Sequence, residues 1–383
     1  MLTNPVKITT ALIQRPSITP EDAGVLAVTE GFLAELGFTN HRIGFSDVNT
    51  PDVENLYARL GTEGPNFCFA GHLDVVPVGD AAAWTHPPFS AAVVDGNLIG
   101  RGAVDMKAAI AAFIAAVGRL KAAGLLAELK GSISLLITLD EEGPAVNGTR
   151  KVLHWMEERG ERIDACLVGE PTSDKQFGDT VKIGRRGSLN ALVTVRGKQG
   201  HVAYPDLADN PVTTLVRYLH ALKSEPLDNG TKFFPPTNLE VTSVDVGNPT
   251  HNIIPASASA RLNIRFNDQH DSSELIDWLH QHAGAISDGI TLDIKVSGEA
   301  FLTPPGELSA IVSDAVEEAT GLRPQLSTTG GTSDARFIKD VCPVVEFGAR
   351  NETAHKVDEQ IPLEHIEGLT RVYESVLKRF FKI

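Results

Sequence analysis

The sequence predicts an α/β protein of two domains, a mixed β-sheet flanked by helices and interrupted by an inserted ferredoxin-like βαββαβ domain. At 383 residues the chain is too long for one ordinary core. Apolar strand-like runs alternate with helical stretches in the N-terminal part and again near the C-terminus, the signature of an open α/β sheet. Between Ser188 and Val296 the order changes to strand, helix, strand, strand, helix, strand. The expected boundaries are therefore 1–184 and 298–383 for a discontinuous first domain and 185–297 for the insert.

In chain order, Thr19 followed by Pro20, Glu21 and Asp22 reads as a helix start, with a hydroxyl cap, proline at the first helical position and acidic residues in the first turn. Val25, Val28, Phe32, Leu33 and Leu36 then recur at helical spacing up to Gly37. Strands are expected at Asn55 to Leu60 and Phe67 to His72, followed by a Pro- and Gly-rich loop from Val76 to Gly102. The Ala-rich run from Met106 is a strong helix that stops at Gly124. SISLLITL reads as a buried strand running into Asp140, Glu141 and Glu142, Thr149 to Arg159 as a helix, and IDACLV as a strand delivering Glu170.

The insert is read as strand LNALVTV, helix Val212 to Leu222, strands LEVTSVDV and SASARLNIRF, helix Ser273 to Ala283 and strand ITLDIKV. The first style resumes with a helix from Leu308 to Thr320, the glycine-rich GGTSD, the strand CPVVEF and a last helix from Leu363 to Phe380.

The balance of 34 basic against 49 acidic side chains, a net charge of -15, argues against a protein that binds nucleic acid through its phosphates. Small anionic substrates remain compatible, because they respond to local arginines. Cys68, Cys166 and Cys342 lie in or beside apolar runs, are not spaced as a paired-thiol motif, and read as reduced core residues. The N-terminus has no signal-peptide pattern, and no apolar run approaches a membrane span. The expectation is a cytoplasmic protein with no membrane and no nucleic-acid partner.

The chemistry starts at FCFAGHLD. Residues two apart on a strand share a face. His72 can therefore offer one imidazole nitrogen to a metal while Asp74 holds the other, an arrangement metal-bound histidines usually need; a purely local hydrogen bond is the alternative. His72, the Glu141 and Glu142 pair, and Glu170 each stand just beyond an apolar strand, where open α/β sheets bind ligands. His72, Asp105, Glu142, Glu170 and His355 together make a nitrogen and oxygen donor set that suits zinc.

Five ligands exceed one catalytic zinc. A carboxylate can bridge two metals about 3.5–4 Å apart, and Asp105, alone in the tight Gly102 to Met106 turn, is the natural bridge; otherwise it only caps the helix that follows. Of the adjacent Glu141 and Glu142, a metal can neutralise one and leave the other as a general base; the alternative is a solvated acidic loop.

GHLDVVP, GRGAVDMK, LDEEG, GEPT and ARNETAHKVDE together resemble the dinuclear zinc amidohydrolases of the M20 metallopeptidase family, and the likeness covers nearly the whole chain. It implies a zinc-exopeptidase-like sheet and two zinc ions per subunit, with cobalt as a substitute. His72 and Glu170 would hold one ion, Glu142 and His355 the other, and Asp105 would bridge them. Glu141 would be the general base, Asp74 would orient His72, and the Asp105–Met106 bond would be cis. The insert would be a dimerisation and lid domain of a homodimer, its His201 reaching the partner's active site to stabilise an oxyanion. The loop departs from the family at Asp206, where a histidine is expected, which leaves fine lid contacts open.

Within that resemblance, KIGRRGSLN, HNIIPASASARLNIRF, FLTPPG and GGTSDARFI are similar to family members that act on a small dicarboxylate amide, which implies such a substrate. Arg185, Arg186 and Arg265 are candidates for its carboxylates, since guanidinium binds carboxylate bidentately. Arg185 and Arg186 are adjacent on an extended run, so one of them faces the site; each arginine could instead be a surface charge. Asn252, Gly331, Thr332 and Ser333 are carried over from the family as neutral contacts. Another deacylase or peptidase of the family, or a non-catalytic binding protein on the same fold, are the alternatives.

Overall fold

The structure is a computed structural model and describes residues 2–383. The chain divides into two compact units. The first contains the chain up to Ile183, Thr303–Ser327 and Ser333–Ile383; the second contains Gly184–Leu302 with Thr328–Thr332.

The first unit is built on an eight-stranded mixed sheet. Its order is Thr39–Asp47, Thr50–Leu60, Ser132–Thr138, Asn66–His72, Ala165–Val168, Val344–Glu346, Thr180–Lys182 and Gln325–Ser327. Asn66–His72 lies between Ser132–Thr138 and Ala165–Val168 and is parallel to both. The carboxyl ends of these three strands consequently share one edge of the sheet. Ser132–Thr138 and Ala165–Val168 are buried at every position, which explains their largely apolar sequences.

The helix Ala108–Ala122 packs over this sheet and is buried along most of its length. Its alanines let it approach closely, and Phe113 stacks on Phe69 with ring centroids 4.4 Å apart. Tyr373 of the last helix, Leu363–Phe381, meets Phe69 edge-on at 5.2 Å. Truncating Phe69 to alanine would cost about 3–5 kcal/mol, because the cavity could not collapse in so rigid a layer. The three cysteines are buried free thiols, Cys68 and Cys166 facing each other across paired strands. Among the described residues no helix is long and apolar enough to cross a membrane.

Three local readings are corrected here. The second helix begins at Val25, not at Thr19. Gly24, at φ 80, precedes it, and Asp22 reaches forward to accept from the Leu26 N–H at 2.8 Å. Thr39–Asp47 is a strand that apolar patterning does not reveal, because only Ile43 of its residues is buried; backbone pairing with Thr50–Leu60 creates it. The loop after Val76 contains a hairpin, Ala92–Val94 with Asn97–Ile99, and the latter pairs with the distant Gln360–Pro362.

The second unit is a four-stranded antiparallel sheet in the order Asn238–Asp245, Ser257–Phe266, Gly187–Arg196, Ile290–Gly298. Numbered along the chain within this sheet, that is 2-3-1-4, the arrangement a βαββαβ unit adopts when its two helices cover one face. Along Ser257–Phe266 every second residue, Ala258 through Phe266, is buried. They pack against Leu215, Tyr218 and Leu222 of the helix Pro211–Lys223 and Leu275, Leu279 and Ala283 of Ser272–Ile286. Both helices are capped by their sequence, Asn210 accepting from Val212 N ahead of Pro211, and Asp271 forming a reciprocal box with Glu274.

Candidate metal centre

Each of the three parallel strands places an acidic or imidazole side chain just past its last apolar residue. Glycine precedes two of these residues. A Cβ on Gly71 would collide with the Met106 side chain, and one on Gly169 would lie 2.7 Å from the same Met106 Cε. His72 and Glu170 therefore follow glycines because Met106, next to Asp105, fills the space beneath both. The Asp105–Met106 bond is cis.

His72 is 1 % exposed. Its Nδ1 lies 2.9 Å from the backbone carbonyl of Asp74. Nδ1 faces that oxygen, which leaves Nε2 as the nitrogen turned toward the acidic cluster. Nε2 points at Asp105 Oδ1, 3.1 Å away, and at Glu170 Oε1, 3.8 Å away. On the other side His355 Nε2 lies 3.2 Å from Asp105 Oδ2 and 2.8 Å from Glu142 Oε1. The two Asp105 oxygens thus face two different histidines. No side-chain cap joins Asp105 to the helix Ala108–Ala122; its carboxylate is turned into the cluster instead.

The Asp74 carboxylate also makes contacts away from His72. It is fully buried and accepts the backbone N–H groups of Glu142 at 3.0 Å and Glu141 at 3.4 Å, while its Oδ1 is 3.6 Å from His72 Nδ1. The shorter contact to His72 Nδ1 is thus the Asp74 backbone carbonyl, and the carboxylate beside it also shapes the turn of the acidic pair. Asp140 continues that turn by accepting from Val146 N and Asn147 N at 2.8 and 2.7 Å.

The electrostatics are those of carboxylates crowded in a low dielectric. Burial pushes the Glu141 carboxyl up to about 8, with His72 opposing and Asp334, Glu142 and Asp105 adding to the rise. Asp105 moves the other way: burial would raise it, yet hydrogen bonds from His355 and His72 hold it well below the usual carboxylate range. The same bonds to Asp105 and Glu142 raise His355 to about 10. His72, Glu141 and Glu170 form one group, and His72, Asp105 and Glu142 another, whose ligand atoms lie within 4.8 Å of one another. Two clusters sharing His72, with Asp105 between two histidines and only hard oxygen and imidazole donors, fit a pair of divalent cations in chemistry and spacing.

In the second unit His201 is exposed at the end of the short strand Gly200–His201, paired with Ile253–Ile254, and its Nδ1 accepts the Ala203 N–H at 3.0 Å. The proton is therefore on Nε2, which faces outward as a donor. Val202, Tyr204 and Leu207 around it are large, apolar and exposed. Asn252 is exposed and its carbonyl accepts from Val202 N. Arg185 is buried and its Nη1 donates to Gly331 O at 3.1 Å. Arg186 binds Asn238 Oδ1 at 2.9 Å, and its Nε is buried without a partner. Burial, then the neighbouring Arg265, lowers the Arg186 guanidinium's affinity for its proton. Gly331 is exposed and Thr332 half-buried in this unit. Ser333, in the first unit, is fully buried, and its hydroxyl donates to Glu346 Oε1 at 2.8 Å.

Arg101 and Glu359 escaped sequence reasoning. The signal was present in GRGAVDMK and HKVDE, where a buried pair of opposite charge flanks two candidate ligands.

The family model described as peptidase family M20/M25/M40 matches residues 68–379. A succinyl-diaminopimelate desuccinylase from Rhodospirillum centenum is 57% identical over 382 residues, covering 100% of this chain and 98% of that protein. Among solved structures, an M20 family metallo-carboxypeptidase from Sulfolobus solfataricus aligns with a TM-score of 0.78 at 17% identity, covering 99% of both chains. A dinuclear metal-binding M20 peptidase from Bacillus subtilis aligns with a TM-score of 0.71 at 17% identity, covering 99% of this chain and 98% of that one.

Proposed function

The chain belongs to peptidase family M20/M25/M40, and from that premise we propose that it hydrolyses N-succinyl-LL-2,6-diaminopimelate to succinate and LL-2,6-diaminopimelate, a step of lysine and diaminopimelate biosynthesis. The substrate assignment is supported by full-length relatives that carry the desuccinylase name at 52–57% identity. The observation that carries the chemistry is Asp105, whose two oxygens face His72 and His355 separately.

In this reading His72, Glu170 and Asp105 would hold one zinc ion and Asp105, Glu142 and His355 a second, with cobalt as a substitute. Bound there, zinc supplies Lewis acidity that acidifies water and polarises the amide carbonyl. Glu141 is the base. Its raised proton affinity suits a group that takes a proton from the attacking water and gives it to the leaving amine. Asp74 holds the Glu141 and Glu142 backbone in place through its carboxylate.

His201 donates its Nε2–H to the developing oxyanion in the second copy of a homodimer formed through the insert, a reading supported by its tautomer and by the exposed Val202, Tyr204 and Leu207 beside it. The substrate carboxylates fall to Arg185, Arg186 and Arg265, with Asn252, Gly331 and Thr332 as neutral contacts. Two arginines close enough to depress one of them, with a buried Nε unpaired, support a carboxylate between Arg186 and Arg265. The Ser333 hydroxyl, already given to Glu346, supports the turn rather than a direct contact. The reading places the enzyme in the cytoplasm, where this substrate would be made.

Replacing Glu141 by Gln tests the mechanism. Zinc content should stay at the wild-type level while kcat falls by about 10²–10⁴-fold; turnover near wild type with both metals bound removes Glu141 as the base. Assaying succinyl-diaminopimelate beside N-acetylated amino acids tests the substrate, and a preference for the latter overturns it.

A further inference from the structure

We propose that the buried Arg101–Glu359 pair is the positioning unit of the metal centre, the device that fixes Asp105 and His355 relative to each other. The inference rests on the two-metal reading above.

Asp105 and Met106 have non-helical backbone angles, φ -122 and φ -136, ahead of the helix Ala108–Ala122. N–H groups in that turn need acceptors from elsewhere. The Glu359 carboxylate supplies them. Its Oε2 accepts from Gly102 N at 3.0 Å, and its Oε1 accepts from Val104 N at 2.8 Å and Asp105 N at 3.2 Å. Oε2 also receives Arg101 Nη1 at 2.8 Å.

Arg101 holds the opposite side. Its Nη1 donates to Lys356 O at 3.1 Å and its Nη2 to His355 O at 3.4 Å and Pro77 O at 3.3 Å. The guanidinium carbon lies 5.3 Å from the Trp84 ring centroid, so its plane is packed as well as bonded.

His355 needs such support. Its side chain is 49 % exposed and its φ is +62, a left-handed conformation unusual for a residue with a Cβ. Burial does not hold this ligand in place. Arg101, 2 % exposed and paired with the fully buried Glu359, does so through its backbone carbonyl. One carboxylate thus grips the turn of the bridging ligand, and the arginine bonded to it grips the loop of the terminal ligand. A pair of zero net charge does this without adding to the negative charge of Asp74, Asp105, Glu141, Glu142 and Glu170. Partners that orient metal ligands typically change metal affinity by about 10–100-fold.

Two variants test the assignment. Glu359→Gln keeps the volume but turns one acceptor oxygen into a donor facing N–H groups; Arg101→Lys keeps the charge but loses the planar fork. Metal-stripped wild type and variants are titrated calorimetrically with Zn2+, their thermal unfolding is followed without metal, and the cobalt-loaded forms are read by visible absorption. The expected result is cooperative unfolding of the metal-free variants, a second zinc bound about 10–100-fold more weakly, and an altered cobalt spectrum. A folded variant with wild-type zinc affinities and cobalt spectrum overturns the proposal. Weakened binding that merely follows lost stability of the metal-free protein overturns it too. Where Glu359→Gln does not fold, Arg101→Lys decides by the same measurements. A wild-type protein that takes up no metal overturns the two-metal reading itself, an outcome distinct from variants that bind as tightly as wild type.

Discussion

Replacing Asp74 by Asn perturbs one buried carboxylate and nothing of its shape. In the structure that carboxylate accepts two backbone N–H groups, from Glu142 at 3.0 Å and Glu141 at 3.4 Å, and it is fully buried. An amide retains one acceptor oxygen and presents an NH2 to the other N–H. A hydrogen bond to a charged acceptor contributes about 1.5–3 kcal/mol net. If losing it moves the Glu141 and Glu142 turn out of register in the transition state alone, 1.36 kcal/mol per tenfold converts that to a drop in kcat of roughly 10–150-fold. KM should stay within about threefold, because none of the groups proposed to read substrate carboxylates touches Asp74. His72 should keep its orientation, since its Nδ1 is bonded to the backbone carbonyl at 2.9 Å, which the substitution does not remove. The assay is steady-state hydrolysis of succinyl-diaminopimelate on protein whose zinc content has been measured. A fully loaded variant with kcat within threefold of wild type would refute the reasoning. A loss explained wholly by missing zinc would return Asp74 to the role of a histidine orienter.

His201→Ala should lower kcat by about 10²–10³-fold with little change in KM, the effect of removing one oxyanion donor; unaltered kcat removes His201 from the reaction. Zinc uptake near neutral pH should release protons. His355, raised to about 10 by its bonds to Asp105 and Glu142, must surrender its proton to become a ligand, so affinity should fall as pH falls. Calorimetry in buffers of different ionisation enthalpy measures this, and zero proton release contradicts it. In the second unit Asp228 accepts from Gly230 N at 2.6 Å, Asn267 Nδ2 at 2.7 Å and His270 Nε2 at 3.1 Å. Burial opposes ionisation there, but hydrogen bonds from Thr237, Gly230 and Asn267 prevail and keep its carboxyl below the usual range. A carboxylate depressed in the folded state stabilises above its unfolded pKa of about 3.9, and that contribution is lost as pH falls through the folded value. Asp228→Asn should therefore lose about 1–3 kcal/mol at neutral pH, the gap to wild type closing in thermal melts as the pH falls below the unfolded carboxyl value of about 3.9; a gap independent of pH would contradict the assignment.

Much of this protein is legible along the chain because the determining interactions are local or periodic. The buried parallel strands announce themselves as largely apolar runs, and the residues at or beyond their ends are the ones the fold gathers. The helices of the insert carry their own caps at Asn210 and Asp271. Local signals fail where a distant partner decides the outcome. Thr39–Asp47 becomes a strand only because Thr50–Leu60 pairs with it, and Thr19 does not start a helix although its neighbours favour one.

By itself the sequence determined the candidate ligands His72, Asp105, Glu142, Glu170 and His355, the candidate base Glu141, and the order of elements that brings most of them to one sheet edge. Only the tertiary structure decided the division of labour around it. It gave the orientation of His72 to a backbone carbonyl, the Asp74 carboxylate to the acidic turn, and the placing of Asp105 and His355 to Arg101 and Glu359. Those assignments depend on which buried N–H and C=O groups lack partners once the chain is packed. Chain spacing does not carry that information when the donor and acceptor stand some 250 residues apart, as Arg101 and Glu359 do.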